Sequence, residues 1–95
     1  MAETLFRNRM LQVAKELTAE NVKDLEFIME QMHAPWTSAS DGDGRVVIKQ
    51  MKQRMIWFFD SKSKTCNFAR LAGYMEDIWR HDLGAELRHL GKASC

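Results

Sequence analysis

A chain of 95 residues with 45% apolar content supports one compact domain with one core, and excludes a disordered chain. Fourteen basic residues against thirteen acidic give a net charge of +1, which argues against a dedicated nucleic-acid binder. No apolar run reaches membrane-spanning length, so no membrane partner is expected. Glu3, Arg7 and Arg9 interrupt the N-terminal stretch where a secretory signal would lie.

Helical periodicity dominates. Phe6, Met10, Val13 and Leu17 step by 4, 3 and 4, the stripe of a first helix. Thr18 is a candidate N-cap for the next helix. Asn21 rather than Glu or Gln stands three residues on, so a full capping box is not expected. Val22, Leu25, Met29 and Met32 form the second stripe. From His33 to Gly44 the pattern breaks around the only proline, Pro35, with Ser, Thr, Asp and two glycines, and reads as a loop with room for a short or degenerate sixth helix. Ile48, Met51, Met55 and Phe58 predict a long helix over about Arg45–Phe59. Asp60–Thr65 is turn-like. Phe68, Leu71, Met75 and Ile78 make the next stripe, and Leu83, Leu87 and Leu90 a short last one with Gly91 as its stop. No segment alternates with period two. Short connections between amphipathic helices imply an all-α antiparallel bundle of five or six helices, a single domain over residues 1–95.

The residues that could carry chemistry are few. Asp41-Gly42-Asp43-Gly44 resembles the middle of an EF-hand loop. With Gly44 at the sixth position, however, Ala39 falls at the first and Gln50 at the twelfth, where calcium needs oxygen ligands and a bidentate carboxylate. A flexible turn is the expectation, with no metal. His33, His81 and His89 have no zinc spacing and read as solvated surface residues. Nothing places a nucleophile beside a base, and there is no phosphate loop, so neither enzyme activity nor a cofactor is expected. Cys66 and Cys95 fit no metal spacing and no disulfide framework. Without a secretory signal they read as two free thiols of the reducing cytosol or nucleus.

Charge is segregated instead. Glu20, Asp24, Glu26 and Glu30 crowd the second helix, while Arg45, Lys49 and Lys52 make a basic stripe on the third, with Arg54 beyond. These are either solvated faces or complementary docking faces. Phe27 lies about 200° from Leu25 at 100° per residue, off the core stripe. Beside Ile28 it is either an added core contact or an exposed anchor. Arg80-His81-Asp82-Leu83 places opposite charges at the junction of the last two helices. They either order that junction or serve recognition.

Leu17-Thr18-Ala19-Glu20, Leu25-Glu26-Phe27-Ile28 and Arg80-His81-Asp82-Leu83, in that order, resemble the death effector domains, members of the death-fold superfamily. Asn67 through Leu83 is similar to that family's fifth helix and the turn into its sixth. The resemblance spans about residues 5–90 and is weakest over His33–Cys66. It implies a death-fold Greek-key bundle and a homotypic interaction module of apoptotic or innate signalling. The implied partner is a death effector domain of an adaptor, an initiator caspase or an inhibitor, or a second copy. The implied location is the cytoplasm, with the nucleus also open. The implied contact residues are Phe27 and Ile28, the charges Glu20, Asp24, Arg45, Lys49 and Lys52, and the triad of Arg80 and Asp82 with an acid of the second helix. Asn21 stands where the family carries that acid, and Glu20 and Asp24 are the alternatives. Pyrin and caspase-recruitment domains share the fold. Outside this class, two readings remain: a helical nucleic-acid binder using the stretch from Arg45 to Arg54 with Trp57, and a degenerate EF-hand-like domain.

Overall fold

Apolar residues spaced by three and four produce α1 (Ala2–Glu16), α2 (Ala19–Met32), α3 (Gly44–Gln53), α4 (Ala69–Asp77) and α5 (His81–Ser94). A two-stranded antiparallel hairpin, β1 (Phe58–Asp60) and β2 (Thr65–Asn67), lies between α3 and α4. The structure is a computed structural model and describes residues 2–38, 41–60, 62–63 and 65–94. The molecule is mostly helical, as expected, but the hairpin is an addition. α1 packs on α3 and α5, α2 on α3, and α4 on α5. The stripes converge in one core, where Val13, Val22, Leu25, Met29, Met51, Leu71, Met75 and Leu87 are fully buried. Each of the larger of these side chains contributes roughly 1.5–3 kcal/mol relative to exposure.

The capping box at the start of α2 is complete, contrary to expectation. Thr18 Oγ1 accepts from the Asn21 N–H at 3.1 Å, and the Thr18 N–H donates to Asn21 Oδ1 at 3.2 Å. An amide oxygen at that position returns the bond as well as a carboxylate does. Asp43 caps α3 by accepting from the Arg45 N–H at 2.9 Å. The Asp-Gly run is therefore a helix entry, while Ala39, which falls at the first EF-hand position without an oxygen ligand, lies outside the described residues. Gly44 is needed there. A Cβ on it would stand 2.2 Å from the Ala14 carbonyl oxygen, so only glycine lets α3 begin against α1.

α3 is shorter than the expected Arg45–Phe59. Ile56 N–H donates to the Met51 carbonyl at 3.0 Å and Met55 N–H to that of Lys52 at 2.9 Å. Met55 sits at φ +60. This is a Schellman end, with Met55 where glycine is usual. Beyond it the chain leaves the helix to lay aromatic residues on α1. Phe59 stacks on Phe6 at 4.2 Å, and the buried Trp57 donates its indole N–H to the Ile48 carbonyl at 3.0 Å. Aromatic residues suit strands, and Phe59 pairs with Cys66 across the hairpin.

Other expectations are corrected too. Among the described residues no helix forms over 33–43. That segment is strapped down by Trp36, whose N–H donates to Glu26 Oε2 at 3.3 Å, and by Arg54, which donates to the His33 carbonyl at 2.9 Å. Met32 is exposed, because α2 is ending and its last turn passes the edge of the core. His33 is half-buried and hydrogen-bonded, not a solvated histidine. α5 runs through Gly91, which packs rather than stops: a Cβ there would meet the Phe68 ring at 3.3 Å. Cys66 is in a disulfide, not a free thiol, and Cys95 lies outside the described residues. Packing of α5 on β2 sets Cys66 Sγ 3.9 Å from the Gly91 carbonyl, a proximity that sequence spacing cannot display. With Cys66 in a disulfide, the cysteines do not point to a reducing compartment. Among the described residues no helix is long and apolar enough to cross a membrane.

Candidate interaction surfaces

The outer face of α2 carries the first surface. Val22, Leu25 and Met29 bury the opposite side of the helix, and Phe27 is consequently 65% exposed. Its neighbour Ile28 is half-buried and packs against the core, so the pair does not form one solvent-facing spot. Asp24 and Glu30 flank Phe27 one turn to either side, and Glu20 lies two turns before it. All three are exposed, and Glu30 is engaged by the Ser38 hydroxyl. Glu26, by contrast, is buried.

A groove of about 200 Å³ between α1 and α3 forms the second surface. Met10, Leu11, Ala14, Ile48 and Trp57 give it an apolar floor, and Arg45, Lys49 and Lys52 stand at its rim. The three cations are not equivalent. Arg45 is neutralised by Asp43, with Nε and Nη2 each 3.1 Å from a carboxylate oxygen. That bond pulls the Asp43 carboxyl below its usual range. Lys52 Nζ sits 5.5 Å over the Trp57 ring, a cation–π contact. Lys49 meets no carboxylate among the described residues and is the free cation of the rim.

The third surface is the corner where α4 turns into α5. Arg80 Nε and Nη2 clasp the two oxygens of Asp82 at 3.1 and 3.0 Å. Arg80 Nη1 reaches the Asn21 amide oxygen and the Glu16 carbonyl, each at 2.9 Å, and the Glu16 carboxylate lies 3.6 Å from Nη2. Asn21 thus fills the place expected of an acid, through a neutral oxygen. Among the described residues neither Glu20 nor Asp24 joins the network. The hydrogen bond from Arg80, foremost, holds the Asp82 carboxyl below its ordinary range and raises the guanidinium in turn. The Arg80 side chain is only 20% exposed against 62% for Asp82, so the arginine is half built into the fold while the aspartate faces solvent.

Glu16 was invisible to motif spacing, although as the last residue of α1 it adjoins the N-cap of α2 and the corner must pass it. Trp79 was also missed. It is 83% exposed at φ +66, the C′ position of a second Schellman end. Its N–H donates to the Glu76 carbonyl at 3.0 Å, and that of Arg80 to Met75 at 2.8 Å. The signal was present: Trp79 falls outside the stripe that ends at Ile78, with no glycine to close the helix. The chain matches no protein-family model, no curated protein and no solved structure.

Proposed function

We propose that this chain is a homotypic interaction module of death effector type, without catalytic activity, whose copies assemble head to tail. The single observation that carries the reading is Phe27, an aromatic ring 65% exposed with Asp24 and Glu30 one turn to either side and Lys23 beside it. The α1/α3 groove is its complement, apolar on the floor and cationic at Lys49 and Lys52. The two surfaces share no residue. Phe27 of one copy enters the groove of the next, Asp24 and Glu30 face the lysines, and each addition leaves a fresh face at either end. Such heterologous contacts grow into helical filaments, and clustering raises the local concentration of whatever the chain carries. The same faces would take a death effector domain of an adaptor, initiator caspase or inhibitor; a cytoplasmic location rests on the family resemblance alone, since the Cys66 disulfide does not favour a reducing compartment. The Arg80–Asp82 corner fixes the α1–α2 junction from which the Phe27 helix starts.

The local chemistry favours this over nucleic-acid binding. Arg45 is matched by Asp43, and the Trp57 ring is buried, so the stretch has neither a full basic stripe nor a stacking platform. Phe27→Asp tests the proposal. Sedimentation velocity should show loss of concentration-dependent association, by about 2 kcal/mol or more, at an unchanged melting temperature. A folded Phe27→Asp chain that associates like the unmodified one contradicts it.

A further inference from the structure

The C-terminal end of α2 meets α3 and α4 at a cluster that self-association does not use. His33 follows the last turn of α2, and its Nε2 lies 2.8 Å from the Tyr74 hydroxyl. Arg70 Nη2 approaches the same nitrogen at 3.4 Å. Arg70 and Tyr74 stand one turn apart on α4, so both side chains reach the same spot. Arg54, at the end of α3, donates to the His33 carbonyl at 2.9 Å and lays its guanidinium 5.6 Å over the Trp36 ring.

The charge balance is unusual for a surface cluster. Other guanidiniums of this molecule clasp carboxylates: Arg45 with Asp43, Arg80 with Asp82, Arg88 with Glu76. Among the described residues neither Arg54 nor Arg70 does so, and Arg70 meets only an imidazole nitrogen. Glu26, whose carboxylate receives the Trp36 indole N–H, adds a negative charge on the Trp36 side of the cluster. Burial foremost, then Arg70 and Arg54, lower the affinity of His33 for a proton.

We propose that Arg70, His33 and Tyr74, backed by Arg54, form a binding site for a phosphate monoester dianion. Glu26 offsets part of the charge of the two guanidiniums, and the excess positive charge at Arg70, which meets no carboxylate among the described residues, is what a phosphate would match. The planar fork of Arg70 suits two phosphate oxygens, and only one of its N–H groups is directed at His33. Tyr74 and His33 share one hydrogen bond whose direction depends on the tautomer. With the proton on Nε2, the ring donates to the tyrosine oxygen and frees the hydroxyl to donate to the anion. Phosphate therefore selects that tautomer and draws a second proton onto the ring. Arg70 is exposed while His33 and Tyr74 are half-buried, so the ligand comes from solvent, free or carried on a partner's side chain.

The experiment follows the His33 ring by NMR while inorganic phosphate, a phosphoserine peptide or acetate is added to the full chain. A saturable shift with phosphate, an upward move of the His33 titration midpoint, and a weak response to acetate are expected. Arg70→Gln, at an exposed position, should weaken phosphate about tenfold while keeping the melting temperature. Tyr74→Phe should weaken it less, since only the hydroxyl is lost. Tighter binding of the peptide than of free phosphate would assign the source to a phosphorylated side chain, and equal binding to the free anion. An unsaturable response, acetate as effective as phosphate, or full affinity in a folded Arg70→Gln chain overturns the site.

Discussion

Trp79 and Met55 show what a single residue costs at a helix end. Both hold the left-handed conformation that a Schellman end favours for glycine, and both expose their side chains. An L-residue there costs roughly 1–2 kcal/mol, and glycine returns about 0.5–1 of that to the unfolded chain. Trp79→Gly should therefore raise stability by about 0.5–1 kcal/mol, read as a higher urea midpoint at an unchanged slope. A lower midpoint would mean that the indole packs and is not merely displayed. His33 carries the other prediction at this scale. Its affinity for a proton is depressed in the fold below the ordinary value of 6.5. Between 6.5 and the lower folded midpoint the unfolded chain binds more protons, so stability should fall as pH drops through that window. His33→Gln should flatten this part of a stability-against-pH curve. A curve of equal slope in both chains would assign the loss to other groups.

At the level of elements, stripes were legible and endings were not. The spacing of Phe6, Met10, Val13 and Leu17, and of Leu71, Met75 and Ile78, places helices and their buried faces, and the same arithmetic turned Phe27 outward. Local chemistry beyond periodicity set the ends. Gln53 closes α3 because Trp57 and Phe59 gain more by covering α1 than by continuing the helix. Gly91 does not close α5 but lies within the helix, close against the Phe68 ring. The role of Asn21 depends on an arginine 59 residues away, which no local rule reaches. Nor could spacing rank the charges: Arg45 is matched and Lys49 is not. The corner yields a prediction at this scale. Arg80 ties the last carbonyl of α1, the Asn21 amide and Asp82 together, while Asp82 faces water. Arg80→Ala should cost about 1–2 kcal/mol in denaturant melts, and Asp82→Ala under about 1. Equal costs would place the structural load on the ion pair and not on the tie to α1.

For the whole molecule, the central claim is that two different faces of one copy meet their opposites on its neighbours. That polarity distinguishes the proposal from a symmetric dimer, in which one patch meets itself. Phe27→Asp removes the inserted ring. Ala14→Glu, whose carboxylate would fill the apolar floor of the groove, is a poor choice because Ala14 is buried. Lys49→Glu, at the exposed rim, reverses a cation that meets no carboxylate among the described residues and spares the core. The deciding measurement is sedimentation of Phe27→Asp, Lys49→Glu and their equimolar mixture, beside the unmodified chain. The unmodified chain should grow with concentration, each variant alone should remain monomeric, and the mixture should stop at dimers, built through the one intact ring and the one intact groove. A mixture that stays monomeric while the unmodified chain assembles, or one that grows like the unmodified chain, would contradict head-to-tail assembly through these faces.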